Sequence, residues 1–389
     1  MNNKYAFYYL PLLCQILTIY NLVLQRYGAP KLYLIVYVLA IIALLGVRGQ
    51  KCRNQSATMC TIYIVVSGII GLFHLLFTDN SAEVIHGLMI YLLPPLYWVL
   101  YFTRGGNRVY DILYELRYHM LIVAIASIVQ FFISPSLFGI YDDSNYLVEL
   151  ANNNADNIMS VFRSSSFLTS PQCLGLVMGL YTVVYYLCYN KGGRQDIGLL
   201  TAYFIGGALS GSKSFFLMII ITIAFIVLKS NSTKTKISIV VVIVLVCVGI
   251  GFLYEYIGFI DRLLNMEKLA DDEKSGRLAI YSYFLERSSI FGNGPGLLQN
   301  ISGKQYKFDN AAESYLIQII YEMGYVVFSF FAFFLAIVFT RKNSFKLMIF
   351  LITLSLGYVH AFNGFIFFIF WAFFFVKKPQ LKVVSGINK

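Results

Sequence analysis

The chain has 389 residues, 58% of them hydrophobic and 13% charged, with a mean hydropathy of +0.70 and a formal net charge of +11. Soluble globular domains average about 45–50% apolar and about 25% charged residues, so the composition excludes a water-soluble enzyme, and the length excludes a single anchor. A basic excess that would suggest nucleic acid in a soluble chain serves in a membrane chain to orient loops, so the lipid bilayer, not nucleic acid, is the expected partner.

A hydrocarbon core of about 30 Å takes about 20 apolar helical residues. Runs of that kind occupy 5–24, 32–47, 58–77, 84–102, 119–137, 167–189, 236–256, 311–339, 346–360 and 362–376. The first follows only Lys4 and lacks a small-residue cleavage site, so it reads as a retained span. Between 197 and 228 the sequence reads as two short runs, 197–209 and 214–228, split by Ser210-Gly211-Ser212-Lys213. Charge favours that division. With the first residues inside, the inner loops hold Lys4, then Arg48, Lys51 and Arg53, then Arg104, Arg108 and Arg117, then Lys191 and Arg194. They continue with Lys229, Lys234 and Lys236, then Arg341, Lys342 and Lys346, and finally Lys377, Lys378, Lys382 and Lys389. Only Asp111, Glu115 and Asp196 oppose them on that side, as the positive-inside rule requires. A single helix over 197–228 would put Lys191 and Lys234 on opposite sides and break the alternation.

The expected fold is therefore an all-α integral membrane protein, one polytopic domain over 1–389 with about twelve membrane helices and both termini cytoplasmic. Its irregular features are an outer loop at 138–166, the short helical hairpin at 197–228 and a large outer loop at 257–310. A run as short as 197–209 rises only about 20 Å. Its tip, with Lys213, is then expected to lie sunken, where a break is tolerated if protein or a water-filled cavity surrounds it. The six cysteines (Cys14, Cys52, Cys60, Cys173, Cys188 and Cys247) form no C-x-x-C pair and read as packing residues.

Four outward features carry candidate chemistry. Arg163 precedes a helix expected to begin at Phe167, with Pro171 in its first turn. Lys213 is the only charge of its hairpin. Ser275-Gly276-Arg277 opens an apolar-periodic stretch, with Ser275 as N-cap. A cation in the first turn opposes the helix dipole, which makes sense if an anion such as phosphate sits there; pairing of Arg277 with Asp271 or Asp272 is the alternative. Asp309-Asn310-Ala311-Ala312-Glu313-Ser314-Tyr315 runs into a membrane helix in which Glu322 is an intramembrane carboxylate, serving either function or helix packing. His74, His86 and His119 read as ordinary packing or hydrogen-bonding residues, and His360 lies at the outer turn between the last two helices, where it either lines the cavity or has no special role. No Walker loop, zinc motif or dinucleotide fingerprint occurs, so no metal and no cofactor are expected.

In order along the chain, these residues resemble a family. Arg163-Ser164-Ser165-Ser166-Phe167-Leu168-Thr169-Ser170-Pro171, Leu209-Ser210-Gly211-Ser212-Lys213, Ser275-Gly276-Arg277 with Gly292 to Gly296, and Glu313-Ser314-Tyr315-Leu316 with Glu322-Met323-Gly324 are similar to motifs of the bacterial O-antigen polymerase and O-antigen ligase superfamily. The resemblance covers roughly residues 160–325. Lys213 stands where the family usually has Arg. Ala312 and Glu313 stand where its ligases carry His-Asn, which favours a Wzy-like polymerase. The resemblance implies a glycosyltransferase of the inner (cytoplasmic) membrane, facing the periplasm and joining undecaprenyl-diphosphate-linked oligosaccharide repeat units into O-antigen or a related surface polysaccharide. It implies Arg277, Lys213 and Arg163 on the diphosphate and Ser275, Gly276, Asn310, Tyr315 and His360 around the substrate; Glu313, at the outer end of its helix, is the candidate base, with a helix cap as the alternative. A chain-length regulator protein is a further partner it allows. Two alternatives are a ligase transferring polymer to lipid A core and a lipid-linked sugar flippase or transporter.

Overall fold

A computed structural model describes residues 4–20, 23–24, 32–47, 55–77, 81–133, 164, 166–168, 171–190, 192–229, 277–296 and 314–339. Every regular element among them is helical. A π-helical segment, Tyr5–Tyr9, continues into α1 (Leu10–Ile19). Next come α2 (Leu32–Leu45), α3 (Gln55–Phe77), α4 (Ser81–Thr103), α5 (Val109–Glu115) and α6 (Arg117–Phe132). They are followed by α7 (Pro171–Cys188), α8 (Arg194–Ala208), α9 (Lys213–Lys229), α10 (Arg277–Glu286) and α11 (Tyr315–Phe339).

Four stretches are long and apolar enough to cross a membrane: Cys60–Phe77, Val84–Thr103, Val109–Phe132 and Tyr315–Phe333. Shorter apolar helices cover Tyr5–Ile19, Leu34–Leu45, Cys173–Cys188 and Ser214–Phe225. The set is compatible with a multi-pass membrane protein. The expected spans at 236–256, 346–360 and 362–376 lie outside the described residues. Surface patterning agrees with a lipid environment: α2 exposes Ile35, Val38, Leu39, Ile42 and Leu45, while Leu34, Tyr37, Ile41 and Leu44 on the same helix are buried. A helix apolar on all sides suits a bilayer.

Two groups of helices share one hydrophobic core. In the first, α2 lies against α1 and α4, α3 packs on α4 and α11, and α10 rests on α11. In the second, α6 packs on α8, while α8 and α9 both pack on α7. Glycines permit the close approaches of the second group. Gly206 of α8 backs onto Ala124 of α6, and on α7 Gly175 faces Ser212 and Gly179 faces Phe215 and Met218.

Two local differences from the sequence expectation have plain causes. Helix α7 begins at Pro171 and not at Phe167. Proline fits the first helical position, where its missing N–H would be unpaired anyway, and Ser166 just upstream adopts φ 53°, outside any helix. The seven-residue α5 sits in a basic loop in which no helix was expected. Its Val109, Tyr110, Ile112 and Leu113 are buried, and hydroxyls of Tyr189 and Tyr181 donate to the Tyr110 and Leu113 carbonyls, both at 2.6 Å.

Candidate functional site

The turn between α8 and α9 is built from serines. Ser210 Oγ donates to the Gly207 carbonyl at 2.5 Å and accepts the Ser212 N–H at 3.2 Å. Ser212 and Ser214 hydroxyls pair at 2.7 Å at the start of α9. All three serines are buried, so the tip of the hairpin is enclosed by protein. Such enclosure is what a broken helix at membrane depth requires.

The segment beside Arg163 is tied to that turn. Ser164 N–H donates to the Leu209 carbonyl at 3.1 Å. Gln130 of α6 then organises the segment: its Oε1 accepts the Ser164 hydroxyl and the Ser166 N–H, each at 2.8 Å. Ser166 Oγ donates to the Val123 carbonyl at 2.8 Å, and Ser164 and Ser166 are fully buried. Two bonds on Ser164 and two on Ser166 over-determine the positive φ of Ser166, the usual condition for a strained residue to persist. The neighbours of Arg163 and of Lys213 are thus joined.

A second construction surrounds α11. Gly324 has φ 85° and ψ 170° inside that helix, a geometry no helical ladder accommodates and that only glycine adopts readily. The break frees backbone groups, and a distant segment takes them. Asn293 N–H donates to the Tyr321 carbonyl at 2.9 Å and Gly294 N–H to the Glu322 carbonyl at 3.0 Å. In return, Val326 N–H donates to the Ile290 carbonyl at 3.2 Å. Asn293 Nδ2 adds bonds to the Arg287 and Tyr321 carbonyls at 3.0 and 3.2 Å. No side chain fits between the strands of backbone: a Cβ on Gly292 would overlap the Glu322 carbonyl, and one on Gly324 the Gly292 nitrogen. On the other side, Gly87 of α4 abuts Pro295 and Gly296. His74 Nε2–H of α3 donates to the Phe291 carbonyl at 2.8 Å, which fixes its tautomer. The middle of the expected outer loop is therefore docked among α3, α4 and α11.

Glu322 lies at this junction, fully buried, and it is the only buried Asp, Glu, Lys or Arg among the described residues. Its Oε2 accepts the Tyr91 hydroxyl of α4 at 2.6 Å. Tyr91 precedes Pro94-Pro95, which remove two N–H groups from the α4 ladder. The carboxylate thus lies between the break in α11 and a stretch of α4 weakened by two prolines.

Among the sequence-selected residues, Tyr315 is buried, with its ring 6.2 Å from Tyr91 and 5.7 Å from Phe331, so it belongs to the bundle interior. Arg277 is the first residue of α10, whose Phe284 stacks edge-on against Tyr321 of α11 at 5.0 Å. Lys213 is the first residue of α9. For Lys213 and Arg277 only the helix position is described; Arg163, Ser275, Gly276, Asn310, Glu313 and His360 lie outside the described residues. The structure joins the Arg163 and Lys213 neighbourhoods, and it joins the Arg277 helix to the Tyr315 helix. Sequence reasoning missed Tyr91 and the partner, Phe291, of the hydrogen-bonding His74. An intramembrane Glu two residues before a mid-helix Gly was the signal available for the first. Cys14, Cys60, Cys173 and Cys188 are buried and form no disulfide among the described residues, and His119 pairs with the Tyr20 hydroxyl at 3.3 Å. Among the described residues no cluster of His, Cys, Asp and Glu is arranged to hold a metal. Comparison with family models, with curated proteins and with solved structures returns no match to this chain.

Proposed function

We propose that the protein is a polymerase of lipid-linked sugars, a glycosyltransferase acting at the periplasmic face of a bacterial inner membrane. In this reading the chain has twelve spans, with both ends cytoplasmic and the loops around 138–166 and 257–310 outside. The alternation of basic loops supports the orientation, and the resemblance of the four motifs supports the substrate class, undecaprenyl-diphosphate-linked repeat units. The observation that carries the reading is the bond between Ser164 and Leu209, which ties the neighbour of Arg163 to the turn that ends at Lys213. In this reading Arg163 and Lys213 reach the diphosphate from the two segments so joined, and Arg277 on α10 is the third cation.

The chemistry is an exchange at an anomeric carbon. A hydroxyl oxygen of the acceptor repeat unit bonds to the anomeric carbon of the growing chain, whose bond to the diphosphate oxygen breaks. The electron pair leaves with the diphosphate, where Arg277, Lys213 and Arg163 stabilise the charge in a partly dry site. Glu313 takes the hydroxyl proton, a role worth about 10²–10⁴ in rate. Ser275, Gly276, Asn310 and His360 line the sugar and diphosphate path.

Deletion of the gene in its host tests the proposal. The surface polysaccharide should collapse to a single-repeat band on a gel. Loss of all attached repeats, with full-length polymer accumulating on the lipid carrier, would make the protein a ligase instead.

A further inference from the structure

Buried ionisable groups inside a membrane bundle are costly and are kept for a reason. Glu322 is such a group, and its burial rules out direct contact with a substrate. Its carboxylate and its carbonyl nevertheless connect three elements. The carboxylate receives the Tyr91 hydroxyl of α4, and the carbonyl receives the Gly294 N–H of the docked loop. Tyr91 and Gly87 lie four residues apart on α4, one above the other on a single helical face. That face meets Glu322 with Tyr91 and meets Pro295-Gly296 with Gly87. The Gly292–Gly296 segment is consequently gripped between α4 and the break in α11, and the Tyr91–Glu322 bond closes the grip. Only Arg287 to Phe291 separate this segment from the end of α10, the helix that begins with Arg277.

We infer that Glu322, acting with Tyr91, is a positioning residue for Arg277. It clamps the Gly292–Gly296 segment in the break of α11, and the clamped segment fixes α10 against the outer half of α11. The inference rests on the polymerase reading for the role of Arg277, but the clamp itself does not.

Two measurements on the purified full-length protein separate these parts. Hydrogen exchange of the peptide covering 288–296 reads the clamp, because the Asn293 and Gly294 amides are bonded only while the segment is docked. Kinetics on lipid-linked repeat units read kcat and KM. Glu322→Ala and Tyr91→Phe should speed exchange by about tenfold or more. They should also lower kcat by about tenfold or more, with KM within about threefold, as expected when a transition-state contact is displaced. Glu322→Gln keeps an oxygen that accepts the Tyr91 hydroxyl, so it should restore slow exchange and most of kcat. Arg277→Ala should abolish turnover with exchange unchanged. Unchanged exchange in Tyr91→Phe, which removes one hydroxyl and folds most readily, would overturn the inference. So would a Glu322→Gln variant as impaired as Glu322→Ala, since charge and not positioning would then matter. Faster exchange in the variants of a wild-type protein that does not polymerise would uphold the clamp and sink the polymerase reading.

Discussion

Two helix interruptions among the described residues, at Leu116 and at Gly324, are repaired by different means. Between α5 and α6, around Leu116, side chains do the work. Hydroxyls of Tyr189, Tyr181 and Tyr203 donate to the carbonyls of Tyr110, Leu113 and Arg117 at 2.6, 2.6 and 2.7 Å. The Arg117 guanidinium adds a bond to the Tyr114 carbonyl at 2.8 Å and lies 3.7 Å from the centre of the Tyr114 ring. At Gly324 the main chain of a segment about thirty residues upstream does the work, and it requires glycine on both sides. Side-chain repair is divisible: each tyrosine satisfies one carbonyl and can be removed singly. Main-chain repair is all or none, because the two backbones meet too closely for any substituent. The first arrangement stiffens a junction; the second makes the position of a distant loop depend on a helix.

Substitution of the glycines should separate the two most sharply. Gly324→Ala would force a residue with a Cβ into φ 85° and against the Gly292 nitrogen and Ile290 carbonyl. A destabilisation of about 3 kcal/mol or more is expected from strain and overlap together. The check is the yield of monodisperse protein in detergent and its thermal melt; a variant that melts like wild type would mean that the loop does not sit in the break. At the other junction, Tyr181→Phe leaves the buried Leu113 carbonyl without its donor and should cost about 1–3 kcal/mol in the same melt. Smaller still should be Arg117→Gln, about 0.5–1 kcal/mol, since its contribution is mainly ring stacking; the Glu115 carboxylate at 4.0 Å is half exposed and adds little. A Tyr181→Phe loss as large as that of Gly324→Ala would erase the distinction between the two modes of repair.

The same contrast explains what was readable in the sequence. Membrane helices announce themselves as long apolar runs, and the break at Ser210-Gly211-Ser212 between α8 and α9 was expected because two short runs keep the basic loops alternating. Helix α5 was hidden, being a seven-residue element in a basic loop whose carbonyls are bonded by Tyr181 of α7 and Tyr189 just past it. The Pro171 start of α7 was misread because Phe167 and Leu168 continue the apolar run without joining the helix. The Gly324 break was not legible either. Glycine is common in membrane helices, and nothing local to Glu322-Met323-Gly324 names Asn293 and Gly294 as partners. At the site, sequence grouped Lys213 and Arg163 through loop topology, without the contacts that would join their segments. The serine and Gln130 bonds that join their neighbourhoods depend on Ser166 adopting a positive φ, which no residue pattern announces. Tyr315, selected from the sequence as substrate-binding, is buried in the bundle.

Reaction of the purified protein with lipid-linked repeat units, followed by mass spectrometry of the products, tests the central proposal most directly. Wild-type protein should give a ladder rising by one repeat unit, each product still carried on diphosphate. Arg277→Ala, equally abundant and equally folded, should give none, because a charge-assisted contact to the leaving diphosphate is worth about 1.5–3 kcal/mol and more when felt in the transition state. Arg277→Lys should recover part of the ladder, having charge without the guanidinium fork. A normal ladder from Arg277→Ala, or no ladder from wild type with intact substrate recovered, would contradict the proposal.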